Sequence, residues 1–116
     1  MSATEKTETD VSRVLSVPRM GLVLLVGVSG AGKSTFAAQH FLPTQVIGSD
    51  ECRGMVSDDP NDQSASSDAF ALMRTIIDVR LRRGLLTVVD ATNVQRRARE
   101  ELVRVAKDNN VLTTAI

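Results

Sequence analysis

Aromatic residues, cysteine and histidine are scarce in this sequence of 116 residues. It contains three Phe and no Tyr or Trp, so a platform that binds single-stranded nucleic acid by base stacking is not expected. Cys52 is the only cysteine, which excludes an intrachain disulfide and is typical of a reducing compartment. Because His40 is the only histidine, the chain also lacks the residues of a Cys/His zinc site.

An excess of one charge and a long apolar run are missing as well. The 14 basic and 14 acidic residues give a net charge of zero, so any attraction to nucleic acid must come from a local patch. The apolar run from Leu22 to Val28 is far shorter than the roughly 20 residues that span a bilayer. The N-terminus also lacks the pattern of a secretory signal. We therefore expect a soluble, cytoplasmic protein that does not act at a membrane.

The first residues differ in composition from the rest. Residues 1–10 are rich in Ser, Thr, Glu and Lys and are almost devoid of apolar side chains. Such a stretch cannot bury enough surface to fold, so we expect residues 1–19 to be a flexible segment. The remaining residues, 20–116, suffice for one small domain.

Apolar runs that alternate with helical patterns indicate the fold. Leu22 to Val26 is continuous and partly β-branched, which predicts a strand buried on both faces. A glycine loop follows it, and the next predicted helix runs from Ser34 to Phe41. The other predicted elements are a strand over 45–47, a turn at 58–61, a helix from 67 that Gly84 ends, a strand over 85–89, a helix capped by Thr92 or Asn93, a turn at 109–110 and a strand over 111–116.

This order of strands and helices predicts an α/β fold with a parallel sheet. Right-handed crossovers place the strand-to-helix loops on one edge of such a sheet, where ligands bind. Polar groups are expected at that edge in three places: the Gly27–Ser34 loop, Asp50 and Asp90.

The loop from Gly27 to Ser34 has the Walker A pattern of a phosphate-binding loop. Its glycines let successive backbone N–H groups turn towards an anion, and the following helix adds its positive N-terminal end. Lys33 is predicted to reach the β- and γ-phosphates of ATP and to act in catalysis, and Ser34 to ligate Mg²⁺. The nucleotide-binding residues predicted from this pattern are Gly27, Ser29, Gly30, Ala31, Gly32, Lys33, Ser34 and Thr35.

Two further carboxylates have chemical roles in this interpretation. Asp90 follows an apolar strand, which is the Walker B pattern of an aspartate that holds Mg²⁺ directly or through water. Asp50 is predicted to accept the proton of an acceptor hydroxyl as a general base; alternatively, it caps a helix that begins near Glu51. Arg53 either binds an acceptor phosphate bidentately or forms a surface salt bridge.

Two features near the C-terminus have more than one interpretation. Asn93 can contact phosphate, but a helix cap is the preferred interpretation. The last helix carries a run of arginines that we interpret as a solvated face paired with Glu100 and Glu101. The same run can alternatively line a nucleic-acid channel. Its members are Arg96, Arg97, Arg99 and Arg104.

Four motifs in order give the sequence a family resemblance. They are Gly-x-Ser-Gly-Ala-Gly-Lys-Ser-Thr-Phe from Gly27, Ser-Asp-x-Cys-Arg-Gly from Ser49, Ser-Asp-Asp-Pro-Asn-Asp-Gln-Ser from Ser57, and Val-Asp-Ala-Thr-Asn from Val89. From about Val17 onward, the sequence resembles the polynucleotide 5′-kinase domain of bacterial kinase–phosphatase RNA-repair enzymes. These belong to the adenylate-kinase-like branch of P-loop kinases.

The resemblance implies an adenylate-kinase-like P-loop NTPase fold, with a parallel sheet and flanking helices. It implies ATP-dependent phosphorylation of a 5′-hydroxyl polynucleotide end, RNA or DNA, with Mg²⁺. The aspartate that matches Asp50 is the general base of that family, and the arginine that matches Arg53 engages the acceptor strand. Two alternatives stay open, namely a small-molecule or tRNA-directed kinase on the same scaffold and a non-catalytic ATP-binding fragment.

The resemblance stops at Ile116, within the predicted fourth strand. Kinase domains of that family continue into a lid whose arginines close over the ATP phosphates, and they are joined to phosphatase and nucleotidyltransferase modules. We therefore expect an N-terminal part of a longer protein, with a kinase domain that is truncated before the lid. Such a chain is expected to bind ATP but to transfer phosphate poorly, because arginines of this kind contribute about 10³–10⁵ to rate.

Overall fold

A computed structural model describes residues 21–27, 31–91 and 94–116, with the backbone alone at 31, 33 and 34. The strands are β1 (Leu22–Leu25), β2 (Val46–Gly48), β3 (Thr87–Asp90) and β4 (Thr113–Ala115). The α-helices are α1 (Ala31–His40), α2 (Ser49–Ser57), α3 (Ser66–Arg82) and α4 (Arg96–Asp108). Short 3₁₀ helices, Pro43–Gln45 and Gln63–Ala65, precede β2 and α3. The predicted flexible segment, residues 1–19, lies outside the described residues.

The strands form one parallel sheet in the order β2–β3–β1–β4. Each connection from one strand to the next contains a helix, as a parallel arrangement requires. β3 is inserted between β1 and β2 although it follows both in the chain. This architecture confirms the predicted α/β fold with flanking helices.

The sheet separates two apolar cores because successive side chains of a strand point to opposite faces. On one face Leu22 and Leu24 pack with the helices α2, α3 and α4. On the other face Val23 and Leu25 pack with Phe41 at the end of α1. β1 is therefore buried on both faces, as its continuous apolar sequence predicts.

Helix α3 supplies much of the larger core. It buries a stripe at intervals of four residues, which is the spacing of one helical face. Gly84 follows the helix with a φ of 74°, a left-handed conformation that glycine adopts without strain, and this confirms the predicted stop. The buried stripe consists of Ala69, Met73, Ile77 and Leu81.

The third strand begins later than the apolar sequence predicts. Leu85 donates its backbone N–H to the carbonyl of Arg80 at 3.0 Å, so it completes the end of α3 instead of joining the sheet. The Arg80 side chain in turn donates to the carbonyl of Leu86 at 2.8 Å and to the hydroxyl of Thr87 at 3.3 Å. These bonds hold the chain between helix and strand, and regular pairing starts at Thr87.

Helix starts also differ from the predictions. α4 begins at Arg96 with Gln95 as its N-cap residue, and no side chain caps it. Thr92 and Asn93, the predicted caps, lie outside the described residues and precede this cap position. α3 begins at Ser66, one residue before the predicted start at 67. It follows a 3₁₀ helix whose N-cap residue, Asp62, accepts a hydrogen bond from the backbone N–H of Ser64. α1 starts earlier than predicted, at Ala31 in place of Ser34.

Among the described residues, no helix is long and apolar enough to cross a membrane.

Burial at the centre of the larger core predicts a clear stability difference between two leucines near the C-terminus. Leu102 in α4 is fully buried, whereas Leu112 is 73% exposed. We expect Leu102→Ala to lower the free energy of unfolding by about 2–5 kcal/mol, since it removes apolar contacts and leaves a cavity. Leu112→Ala, the control, is expected to change it by less than about 0.5 kcal/mol. If urea unfolding gave equal losses of free energy for Leu102→Ala and Leu112→Ala, Leu102 would not lie in the core.

Candidate functional site

Asp90 lies at the carboxyl edge of the sheet, between the ends of two other strands. Its Cα is in register with Leu25 at the end of β1 and with Gly48 at the end of β2. The glycine loop begins two residues after Leu25, and Asp50 follows Gly48 by the same interval. The sheet therefore brings together the backbone positions of the three predicted polar groups.

The start of the glycine loop is held by the fourth strand. The backbone N–H groups of Val26 and Gly27 both donate to the carbonyl of Ile116, each at 2.8 Å. This shared acceptor fixes the direction in which the chain leaves β1. Residues 28–30 of the loop, including the predicted ligands Ser29 and Gly30, lie outside the described residues.

Helix α1 offers its N-terminal end at the point where the loop finishes. It begins at Ala31 and runs for 10 residues, with no acidic side chain in its first turn. The unpaired N–H groups and the dipole of such a helix end favour an anion, and an acidic residue there would weaken that preference. Lys33 and Ser34 lie in this first turn, but their side chains are outside the description. Thr35 follows them and is exposed.

Gly32 gives a direct test of whether a phosphate group fits at this position. A Cβ added to Gly32 would meet none of the described atoms within 4 Å, apart from its chain neighbours and its own helix backbone. The protein's own packing therefore does not require glycine here, although glycine in a helix costs roughly 1 kcal/mol relative to alanine. A ligand that must approach the backbone closely accounts for such a residue, so the site fits a bound phosphate chain.

Asp50 is exposed and forms an ion pair on its own helix. Its carboxylate Oδ1 accepts a hydrogen bond from Nη2 of Arg53, one turn further along α2. The Asp50 side chain is 63% exposed, whereas that of Arg53 is 14% exposed. Arg53 also donates from Nε to the carbonyl of Pro60 at 2.8 Å. The salt bridge that we predicted as one alternative for Arg53 is therefore present.

The alternative role of Asp50 as a helix cap is wrong. α2 begins at Ser49, so Asp50 lies within the first turn, and Gly48 occupies the N-cap position without a side-chain bond. Glu51 is the exposed neighbour of Asp50. Cys52 is buried as a small packed residue; burial raises the pKa of its thiol, and the Glu51 carboxylate raises it further.

A cleft of about 520 Å³ opens beside this ion pair. It lies between the starts of the helices α2, α3 and α4. Among the described residues that line it, Arg53 is the one that carries a charge, and the others contribute hydroxyls, amides and apolar side chains. The lining residues are Ser49, Arg53, Gln63, Ser66, Ser67, Phe70, Met73, Val94, Gln95 and Ala98.

Sequence reasoning missed most of this cleft. Phe70 and Met73 follow the helical spacing that predicts a core face, and Met73 is indeed buried. Gln63 lies in the motif that begins at Ser57, but no role is predicted for it, and Gln95 belongs to a segment without a recognisable motif. Of the lining residues, Arg53 is the one for which the sequence predicts a ligand, an acceptor phosphate.

The described residues also limit the kind of metal site. In residues 21–27, 31–91 and 94–116, no group of three or more His, Cys, Asp or Glu side chains comes together. A Mg²⁺ ion at a phosphate site does not need such a group, because phosphate oxygens and water supply most of its ligands. The carboxylate of Asp90 and the hydroxyl of Ser34, which are the predicted ligands, both offer the oxygen atoms that Mg²⁺ prefers.

The arginine run of α4 forms ion pairs only in part. Arg96 donates to Glu100 at 3.2 Å, as the interpretation of a solvated face predicts. Glu101, by contrast, accepts from Arg74 of α3 at 3.2 Å and so joins two helices. Arg97 and Arg104 are exposed.

A parallel sheet with a glycine loop after β1, a helix that starts at that loop, and an aspartate at the end of β3 define a P-loop nucleotide-binding domain of the kinase-like type. A family model described as an AAA domain matches residues 22–116. The chain therefore belongs to this family of P-loop NTPase-like kinase domains. No curated protein matches the chain.

Substitution of Gly32 is expected to lower the affinity for ATP without lowering the stability of the fold. Gly32→Ala should leave the free energy of unfolding unchanged or raise it by up to about 1 kcal/mol, because alanine favours the helix. ATP affinity, measured by calorimetry, should fall by about tenfold or more, since the added Cβ keeps the phosphates from the backbone. Ala38→Gly, on the exposed side of the same helix, is the control and should lower stability without changing ATP affinity. Unchanged ATP affinity in Gly32→Ala would contradict this assignment of the loop.

Removing the charge of Asp90 is expected to weaken the part of ATP binding that depends on Mg²⁺. In Asp90→Asn the affinity for ATP with Mg²⁺ should fall by about 10–100-fold, the range seen when groups that orient a metal are lost. Affinity in EDTA should change little. Asp108→Asn, an exposed carboxylate at the end of α4, serves as the control. If both variants bind ATP with Mg²⁺ like the parent protein, Asp90 does not act on the metal.

Proposed function

We propose that this protein transfers the γ-phosphate of ATP to the 5′-hydroxyl end of a polynucleotide. The observation that carries the proposal is the Asp50–Arg53 ion pair, which follows the end of β2 beside the cleft, while the glycine loop follows β1. This arrangement supports a donor site and an acceptor site at a single edge of the sheet. The motif resemblance supports a 5′-hydroxyl end as the acceptor.

In this mechanism Asp50 acts as the general base. Its exposed carboxylate takes the proton of the acceptor hydroxyl, and the hydroxyl oxygen forms a bond to the γ-phosphorus. The bond from that phosphorus to the bridging oxygen then breaks, and ADP leaves with the electron pair of that bond. Phosphoryl transfer needs little covalent chemistry from the protein, so positioning of the two reactants dominates catalysis.

The glycine loop and the two groups named for Mg²⁺ complete the proposed machinery. Backbone N–H groups of the Gly27–Ser34 segment would hold the phosphates, and Lys33 would neutralise their charge. Ser34 and Asp90 would hold Mg²⁺, which would supply positive charge that neutralises the phosphates.

The single free cysteine accords with action in a reducing compartment such as the cytoplasm. Linked phosphatase and nucleotidyltransferase modules belong to the proposal only through the family resemblance.

A small-molecule or tRNA-directed kinase is the second candidate. Its support is the volume of the cleft, about 520 Å³, which lies within the usual range for a site that encloses one small ligand. The zero net charge also gives no global attraction to a polyanion. An extended acceptor strand would instead need to continue beyond the cleft.

The general-base assignment predicts a large loss of turnover in Asp50→Asn. In the full gene product, kcat for phosphate transfer to a 5′-hydroxyl oligonucleotide should fall by about 10²–10⁴-fold, the usual contribution of a positioned base. ATP affinity should be unchanged, because Asp50 lies on the acceptor side. Glu51→Gln removes the neighbouring exposed carboxylate and is the control that should retain activity. Equal rates for both variants would exclude Asp50 as the base.

The acceptor itself is identified by competition between radiolabelled products. We expect a 5′-hydroxyl RNA or DNA oligonucleotide to be phosphorylated in preference to nucleosides, to small hydroxylated metabolites and to intact tRNA. Preference for a metabolite or tRNA would favour the second candidate. Tight binding of ATP with Mg²⁺, without transfer to any acceptor, would favour a non-catalytic ATP-binding module.

A further inference from the structure

We infer that Arg53 is a positioning residue, held by the loop at Pro60, and that it orients the Asp50 carboxylate instead of binding the acceptor. This inference rests on the proposed function, in which Asp50 is the base. It differs from the acceptor-binding role that the family resemblance implies for Arg53. It also gives a purpose to the polar segment after α2.

The first observation is how the Arg53 side chain is used. Nε donates to the carbonyl of Pro60 at 2.8 Å, and Nη2 is paired with Asp50. These two nitrogens form one of the edges by which a guanidinium binds a phosphate bidentately. That edge is shared here between a backbone carbonyl and a carboxylate, so it is not open to an acceptor phosphate.

The second observation is the contrast in exposure within the ion pair. Asp50 is 63% exposed, and an exposed side chain keeps its rotamer freedom unless a partner restricts it. Arg53 is only 14% exposed and is tied to the backbone at Pro60. Arg53 therefore restricts the rotamers of Asp50. This restriction lowers the entropy cost of aligning the Asp50 carboxylate with an acceptor hydroxyl.

The third observation is that short-range bonds hold the Pro60 loop in one shape. The Ser57 hydroxyl lies within hydrogen-bond distance of two carbonyls, that of Arg53 at 2.8 Å and that of Asp59 at 3.0 Å, and its one proton is shared between the end of α2 and the loop. The backbone carbonyl of Asp59 accepts a hydrogen bond from the backbone N–H of Asp62 at 3.1 Å. The side-chain carboxylate of Asp59 accepts one from the backbone N–H of Asn61 at 2.9 Å.

The helix end supports the same shape. Asp58 adopts a left-handed φ of 63°, and its N–H donates to the carbonyl of Gly54 at 2.8 Å. The carbonyl of Pro60 is therefore presented to Arg53 by a turn that its own bonds define. The chain of contacts runs from the loop to Arg53 and from Arg53 to Asp50.

A double-mutant cycle separates positioning from acceptor binding. Arg53→Gln should lower kcat by about 10–100-fold, the scale of a small misplacement of reacting groups, with little change in the acceptor KM. Once Asp50 is already Asn, adding Arg53→Gln should cost nothing further, because the residue acts through Asp50. A raised acceptor KM in Arg53→Gln, or multiplied losses in the double variant, would mean that Arg53 binds the acceptor directly and would overturn the inference.

The loop is tested without relying on turnover. The Nε–H of Arg53 should show slow solvent exchange by NMR in the parent protein, because it is bonded to Pro60. Pro60→Gly frees the backbone at this position, so that protection should fall by about tenfold or more. Asn61→Ala is the matched control in the same loop, since its exposed side chain has no role in the contacts named here. Equally fast solvent exchange of the Arg53 Nε–H in the parent and Pro60→Gly proteins would exclude the loop as the anchor of Arg53.

The two readouts distinguish failure of this inference from failure of the proposed function. Loss of Nε–H protection in Pro60→Gly, together with activity on acceptors other than polynucleotide ends, would overturn the proposed function while supporting the positioning device. Loss of polynucleotide phosphorylation in Asp50→Asn, together with multiplied losses in the double variant, would support the function and overturn the inference.

Discussion

The parallel pairing of β3 between β1 and β2 decides where the chemistry of this protein lies. β3 comes later in the chain than both neighbours, and its insertion places Asp90 in register with the last residues of β1 and β2. The ends of three strands, at Leu25, Gly48 and Asp90, thereby reach one edge of the sheet although they are far apart in sequence. A shift of β3 by one residue would turn each of its side chains to the opposite face and would move Asp90 out of register with the ends of β1 and β2.

Two different sets of elements then build the two halves of the site. The glycine loop continues into α1, which packs on one face of the sheet. The cleft beside Arg53 is formed by the starts of α2, α3 and α4, which pack on the other face. At this edge of the sheet, elements from both faces meet. This division accords with a domain that binds a donor and an acceptor separately and brings them together at the strand ends.

Sequence reasoning succeeded where one local rule applied and failed where two rules competed. The apolar run of β1 and the stop at Gly84 each depend on a single strong preference, and both are confirmed. Leu85 is apolar and was expected in a strand, yet its N–H completes the end of α3. Asp50 is one of two candidate cap residues in the sequence, yet α2 starts at Ser49, two residues before Glu51, so the cap position falls on Gly48. Local propensity cannot choose between such neighbouring starts, because packing of the whole helix decides them.

By itself, the sequence determined the class of this domain: the glycine loop, the apolar strands and the aspartates at their ends all depend on residues that are close together in the chain. Tertiary structure alone decided the cleft and the contact from Arg53 to Pro60. The cleft combines residues from three helices, and no spacing in the sequence encodes that meeting. The Arg53 contact depends on a turn that reverses the chain after α2 and presents a backbone carbonyl, a group that every residue carries and that no sequence motif can mark.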